Sequence, residues 1–544
     1  MSHMSGIRWK AALVTHVPKD AQIAMADSSA LNWRFTVMVM AVCALLLSPT
    51  LAYRMGVDQG VFAYMGADLL EGRWPYLHTW ESDFPGLMFI QAIEIFFFGK
   101  SIAMFRVFDF IFQLGNSYLI YHIVSRAGSR AGAYLAAGLF CLIYQGYGPW
   151  NTAQREGFGI FFVLLGFWLY LTAERRRVIL TAMYIGLGFG IAVTIKPTLL
   201  ALAAFYAPLL LDINRKSWKL VMSALVGLVA PTLIIVVLYW IKGGLVQLYE
   251  ACIAYQSIYS MRLRGDDPVF VYWLSKLQRL GGHSVAIAIG SVPLLFWRPA
   301  RRERIMLFLG YLGSIFAVFI QGTFAGYHYL PGLAVGSILI GGVFSQAAAV
   351  VFRKSSLHIG RTRLPIQVVA AQLVILAAVP FYVKKEPMHN LLTRHFLDRP
   401  KPGEFRNSTV FDFTESSEVA AYLRAHTTPS ERIQVWGYES LVYYLADRDA
   451  ASRFQMTHPL VMRVTGQDIT PMQRRWRQEF MRDMVQHQPV YIVVVKDDNW
   501  WWAPNELTSE QLLDDFPEWK QYIYNNYTLQ HTIGRFLIYR RAIT

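Results

Sequence analysis

Long apolar runs separated by short basic clusters fill the first 383 residues of this chain, and a lower, mixed pattern of apolar and polar positions follows. A helix needs roughly 20 mostly apolar residues to cross a bilayer. Runs of that kind lie at 33–53, 103–124, 131–148, 157–173, 178–195, 198–212, 218–241, 284–297, 305–322, 328–350 and 364–383, which predicts about eleven spans. The apolar stretch Pro85–Gly99 is too short to cross comfortably and reads as an interfacial or re-entrant helix.

Charge orients these spans. With the N-terminus inside, the loops Arg126–Arg130, Glu174–Arg177, Asn214–Lys219, Arg298–Arg304 and Arg353–Arg363 face the cytoplasm and hold most dense Lys/Arg clusters. The opposite loops, including 54–102, 149–156, 196–197 and 242–283, then lie outside, as does everything after about residue 384. The pattern implies a polytopic helical membrane domain over 1–383, a linker at 384–407 and an extracytoplasmic α/β domain at 408–544. In that last part Glu415–His426, Glu439–Ala446 and Thr470–His487 read as helices. Arg432–Gly437 and Pro489–Lys496 read as strands, and Tyr527–Ile533 with Arg535–Arg541 as a hairpin around Gly534.

Composition agrees with a membrane protein, at 54% hydrophobic residues over 544 positions. The net charge of +15 falls largely in the interhelical clusters, so it orients the chain in a membrane and does not argue for nucleic acid as a partner. Cys43, Cys141 and Cys252 stand in or beside apolar runs without metal-ligand spacing, so neither a disulfide framework nor a metal cofactor is expected; Asp266-Asp267 alone is too little for a cation. The opening Met1-Ser2-His3-Met4 reads as an expression-vector remnant, and residues 5–32 lack a signal-peptide pattern. No Walker loop, GxGxxG or nucleophile elbow occurs after residue 408, which moves the expected chemistry towards the membrane.

Ionisable residues at membrane depth are costly and mark cavities or partners. Here they fall on one predicted side: Asp58 after the first span, Glu81 and Asp83 closing the same loop, Arg155 and Glu156 before the fourth span, Lys196 ending the fifth, and His328 with Tyr329 opening the tenth. A carboxylate can take a proton from a hydroxyl nucleophile, while Lys, Arg and His can hold a phosphate leaving group. Trp74, Tyr76 and Trp80 offer faces for a sugar or an anchor at the headgroup layer. The set suits sugar transfer from a lipid phosphate.

The segment Asp58–Gly86 also resembles the GT-C superfamily of membrane glycosyltransferases, of the kind that includes protein O-mannosyltransferases and the lipid A aminoarabinose transferase. The likeness rests on Asp58, Leu69-Leu70 with Gly72, Pro75-Tyr76 and Asp83-x-Pro85-Gly86, with further echoes at Gly99–Arg106, Arg155-Glu156, Lys196-Pro197 and His328-Tyr329-x-Pro331. It implies an inverting transferase of a bacterial inner membrane that takes its sugar from a polyprenyl-phosphate-linked donor and gives it to a hydroxyl of an envelope glycan, lipid or protein. No cofactor is implied, since the lipid-linked donor is a substrate. Asp58 becomes the catalytic base, Lys196, Arg155 and His328 the donor-phosphate ligands, and Tyr76, Trp80 and Tyr329 substrate contacts. Many relatives carry Asp-Glu where this chain has Asp58-Gln59, so a second carboxylate has to come from Glu81, Asp83 or Glu156, or is absent.

Plainer roles fit the same residues. Asp58 suits a helix cap, Glu81 and Asp83 a solvated loop, and Arg155-Glu156 an internal ion pair. Lys196 suits snorkelling to lipid phosphates, His328 an interfacial position, and Trp500-Trp501-Trp502 a membrane anchor as well as a glycan contact. A secondary transporter or lipid-linked-sugar flippase also places ionisable groups in spans, although no paired repeat with broken helices is visible.

Overall fold

The computed structural model describes residues 29–542 apart from 175–176, 211–217, 265–267, 269–270, 273–274, 276–281, 297–300, 352–355, 360–361, 383–412, 465 and 499–502. The expected linker, Asp266-Asp267 and the Trp500–Trp502 run lie outside the described residues. The chain divides into two compact units, the first of residues 1–52, 106–235 and 273–392, the second of 53–105, 236–272 and 393–544.

Among the described residues six helices are long and apolar enough to cross a membrane: Trp33–Ala52, Arg155–Thr172, Val178–Ile195, Trp218–Ile241, Arg301–Gln321 and Gly326–Val351. The bent pair Gly86–Phe98 and Ile102–Arg126 makes a seventh if it is one span. Two of the stretches expected as spans contain shorter apolar helices, Pro197–Tyr206 and Ile366–Tyr382. Of the stretch expected at 198–212, the described part is a 3-10 helix at Pro197–Tyr206 and one α-turn at Ala207–Leu210, and of that expected at 284–297 it is the helix Gly282–Ser291 and a 3-10 turn at Val292–Phe296. Pro197 and Pro293, which remove backbone donors, stand at those transitions.

In the first unit the helix core gathers Cys43, Tyr134, Phe140, Cys141, Phe167, Phe205 and Tyr311. Small residues set the closest approaches. A Cβ added at Gly132 would lie 2.0 Å from Ser345 Oγ and 2.3 Å from the Gly341 carbonyl oxygen, so helix Arg130–Gly146 meets helix Leu330–Val351 almost backbone to backbone. Two short strands, β1 (Ser356–Ile359) and β2 (Thr362–Pro365), pair antiparallel before helix Ile366–Tyr382.

The second unit holds a four-stranded sheet in the order β3-β4-β6-β5, with β3 Ile433–Trp436, β4 Tyr491–Val495, β5 Tyr527–Ile533 and β6 Phe536–Arg541. β3 and β4 are parallel and β6 antiparallel to both β4 and β5. Every residue of β3 and β4 is buried; β4 accordingly reads as the unbroken run YIVVV, while β3 carries one polar residue, Gln434, whose Nε2 donates to the Phe454 carbonyl oxygen at 2.9 Å. Helix Pro471–His487 begins with Thr470 capping the Gln473 amide at 3.2 Å and Gln473 returning to the Thr470 amide at 3.1 Å. The C-terminal elements stand where the sequence pattern put them, within a few residues.

Candidate active site

In the second unit Asp58 occupies the first turn of helix Val57–Leu70, half-buried, and its Oδ1 accepts a hydrogen bond from the Tyr438 hydroxyl at 3.1 Å. Gln59, standing where an acidic neighbour was expected, turns back to accept from the Gly56 amide at 2.5 Å and closes the helix start. It is a capping residue, so the second carboxylate is not its replacement.

Two aromatic residues of this segment are enclosed by the fold. Tyr76 and Trp80 are both 0% exposed. Tyr76 donates its hydroxyl to the Asp83 carbonyl oxygen at 2.5 Å, while Trp80 packs edge-on against Tyr255 at 4.8 Å and Trp476 at 5.8 Å. The Trp80 amide donates to Gln455 Oε1 at 2.9 Å, and Gln455 Nε2 returns to the Trp80 carbonyl at 2.6 Å. Arg453 donates to the Tyr76 carbonyl at 3.1 Å and Gln256 to that of Ser82 at 2.9 Å. The loop is thus locked by residues from distant parts of the chain. Glu81 is buried and accepts from the Ser82 amide at 2.7 Å, and Asp83 is half-buried.

Burial in this unit also shifts titrations. Desolvation drives the His458 imidazole down to about 3; the ring lies 5.5 Å from that of Tyr255, whose hydroxyl donates to the His458 carbonyl oxygen at 3.0 Å. A folded value below the unfolded one means that the neutral ring supports the fold fully above pH ~6.5 and that this support is lost as pH falls from there towards about 3. Asp68 and Asp498, raised by desolvation to about 6 and about 7, run oppositely, supporting the fold at low pH and losing that support as pH rises through those values. Replacing His458 by Phe is therefore expected to flatten the acid-side loss of stability while leaving the carboxylate-dependent slope. Melting curves of both proteins between about pH 4 and 8 that stayed parallel would contradict this.

The first unit gathers the expected phosphate ligands. Glu156, 1% exposed and in the first turn of helix Arg155–Thr172, has its Oε1 3.9 Å from Lys196 Nζ and 3.8 Å from His328 Nε2. Neither Glu156 oxygen has a hydrogen-bond partner among the described residues. Lys196 ends helix Val178–Ile195 in an extended conformation, and His328 stands in the 3-10 turn Gly326–Tyr329 that leads into helix Leu330–Val351. Arg155 places its guanidinium 5.9 Å from the ring centre of Tyr327. Tyr329, half-buried, closes the same 3-10 turn. Two helix ends thus converge on one buried carboxylate carried by the start of a third helix.

What holds Arg155 and Glu156 in place was not singled out in the sequence. Ala153 has a φ of 54°, strained for a residue with a side chain, and its amide donates to the Tyr144 hydroxyl at 2.8 Å. Tyr144 donates in turn to Asp109 at 2.7 Å, which also accepts from Gln113 at 3.0 Å. Arg106, 0% exposed, donates to Thr152 Oγ1 at 3.2 Å and to the Pro149 carbonyl oxygen at 3.0 Å. Asp109, a lone carboxylate within the apolar helix Ile102–Ala127, was the available signal. Changing Tyr144 to Phe leaves the Ala153 amide without its partner and should cost about 1–3 kcal/mol. Thermal unfolding in detergent reads this, and an unchanged midpoint would contradict it.

Among the described residues no three His, Cys, Asp or Glu side chains come together as metal ligands.

Residues 82–240 match the family described as dolichyl-phosphate-mannose-protein mannosyltransferase. No curated protein matches the chain in sequence. Among solved structures, the crystal structure of ArnT from Cupriavidus metallidurans in the apo state is similar with a TM-score of 0.57 and 14% identity, covering 94% of this chain and 98% of that one. The same protein bound to undecaprenyl phosphate is similar at 0.53 and 12%, with the same coverage. The chain therefore carries the GT-C fold of membrane glycosyltransferases, with its 82–240 segment matching the mannosyltransferase family.

Proposed function

We propose that this protein is an integral membrane glycosyltransferase that moves a sugar from a polyprenyl-phosphate-linked donor to a hydroxyl of a glycolipid, polysaccharide or protein, with inversion, on the outer side of a bacterial inner membrane. The observation that carries the reading is the convergence of Lys196 and His328 on buried Glu156, within 4 Å, inside a GT-C fold. ArnT, which shares that fold, has been crystallised with undecaprenyl phosphate. Lys196, Arg155 and His328 hold the donor phosphate and offset the charge that grows on it as the sugar leaves. Glu156 keeps Lys196 and His328 oriented while no phosphate is bound. Asp58 takes the proton of the acceptor hydroxyl as that oxygen attacks the anomeric carbon; the glycosidic bond forms, the sugar–phosphate bond breaks and polyprenyl phosphate departs.

The carboxy-terminal α/β domain, taken as 408–544 and extracytoplasmic, contributes to acceptor selection, the N-terminus is cytoplasmic, and no cofactor is assigned. Transport is not favoured, because the fold is that of transferases. Purified protein supplied with a panel of polyprenyl-phosphate sugars and extracted envelope acceptors should yield a glycosylated product by mass spectrometry. Absence of product from every donor, with the protein shown to be folded, would sink the proposal.

A further inference from the structure

We infer that Tyr438 is a positioning residue for Asp58, so that the carboxy-terminal sheet is part of the catalytic apparatus and does more than select acceptors. The inference rests on the reading of Asp58 as the base. Its starting point is the hydrogen bond from the Tyr438 hydroxyl to Asp58 Oδ1 at 3.1 Å, across 380 positions of sequence.

Both ends of that bond are held. On the Asp58 side, helix Val57–Leu70 seats directly on helix Leu441–Ala446: a Cβ at Gly60 would lie 2.7 Å from Leu441 Cβ and 2.8 Å from its Cα, so only glycine permits the approach. One turn further on, Tyr64 stacks on Tyr443 at 5.3 Å and its hydroxyl accepts from the Ala450 amide at 3.0 Å. On the Tyr438 side, the segment follows β3, whose Trp436 donates its indole N–H to the Ser509 carbonyl oxygen at 2.8 Å. The next residue, Glu439, is buried between Arg535, which pairs with it, and Ser416, which donates at 3.0 Å. The ring of Tyr438 also lies 6.0 Å from His458.

The chemistry of the contact suits a base. A carboxylate accepts only, and a phenol donating to one oxygen fixes its rotation and thus the direction of the other. A hydrogen bond to the ionised form keeps the carboxylate charged to lower pH, while a neutral donor reduces its basicity less than an ion pair would.

The test uses the full chain in proteoliposomes. Tyr438→Phe keeps the ring and removes the donor; kcat should fall about tenfold with the donor KM within about twofold, and the acid limb of the rate profile should move up by about half a pH unit or more. A variant with wild-type kcat and an unmoved acid limb would overturn the inference. Should Tyr438→Phe not fold, a fluorotyrosine at 438 keeps the shape and strengthens the donor, moving the limb to lower pH; an unmoved limb again overturns it. Asp58→Asn separates the two readings. If that variant is inactive while Tyr438→Phe behaves as wild type, only the positioning role falls, and if Asp58→Asn is fully active, the base assignment falls and takes Tyr438 with it.

Discussion

Asp58→Asn protein should fold, insert and bind donor normally, yet transfer sugar roughly 10²–10⁴ times more slowly than wild type. The amide keeps the size of the carboxylate and can still accept from Tyr438, so the helix start survives the change. What it loses is the capacity to take a proton in the transition state. The loss therefore falls on kcat, with donor KM little altered. If the variant instead lost donor affinity in proportion to rate, Asp58 would be a binding residue and the base would lie elsewhere. If its rate were normal, Asp58 would be a helix cap only.

Replacing Lys196 by Met should cut transfer by roughly 10²–10³, in line with losing one donor to a developing oxyanion. Here an electrostatic complication has to be separated from catalysis. Lys196 Nζ lies 3.9 Å from Glu156, which is 1% exposed and has no hydrogen-bond partner among the described residues. Removing one partner of a buried pair leaves a charge uncompensated and costs about 3–5 kcal/mol, enough to unfold part of a helix end without any role in catalysis. The double variant Lys196→Met with Glu156→Gln removes both charges. It should recover most of the stability that Lys196→Met loses, because a neutral amide is far cheaper to bury than a lone carboxylate. Its transfer rate should stay low. Recovery of activity along with stability would mean that Lys196 serves only to neutralise Glu156.

How far the sequence reached depended on whether a residue's role is set locally. Lys196, His328 and Glu156 stood out because each is ionisable at the edge of an apolar run, and the structure brings these three together. The C-terminal strands were legible because β4, buried on both faces, reads as YIVVV without interruption. The burial of Tyr76 and Trp80 was not legible for the opposite reason. An aromatic in a polar loop looks available for a sugar, but the rings that enclose Trp80 are Tyr255 and Trp476, and Gln455, 375 positions away, holds its backbone. Tyr438 carried no signal at all, since its importance comes only from folding β3 beside helix Val57–Leu70. Asp109 did carry one and was passed over, because it sits mid-run instead of at a run's end. Hydropathy also counts apolar residues without seeing that Pro197 begins a 3-10 helix of ten residues.

Cleavage at a lipid phosphate coupled to glycosylation releases polyprenyl phosphate and glycosylated product together. Proteoliposomes holding wild-type protein or Asp58→Asn are given a polyprenyl-phosphate donor labelled in its sugar, with acceptor present, and free polyprenyl phosphate is quantified beside labelled product. The account predicts that wild type releases polyprenyl phosphate in equal amount to glycosylated acceptor and that Asp58→Asn releases neither. Labelled donor that crosses the bilayer intact, with no polyprenyl phosphate released by wild type, would contradict it.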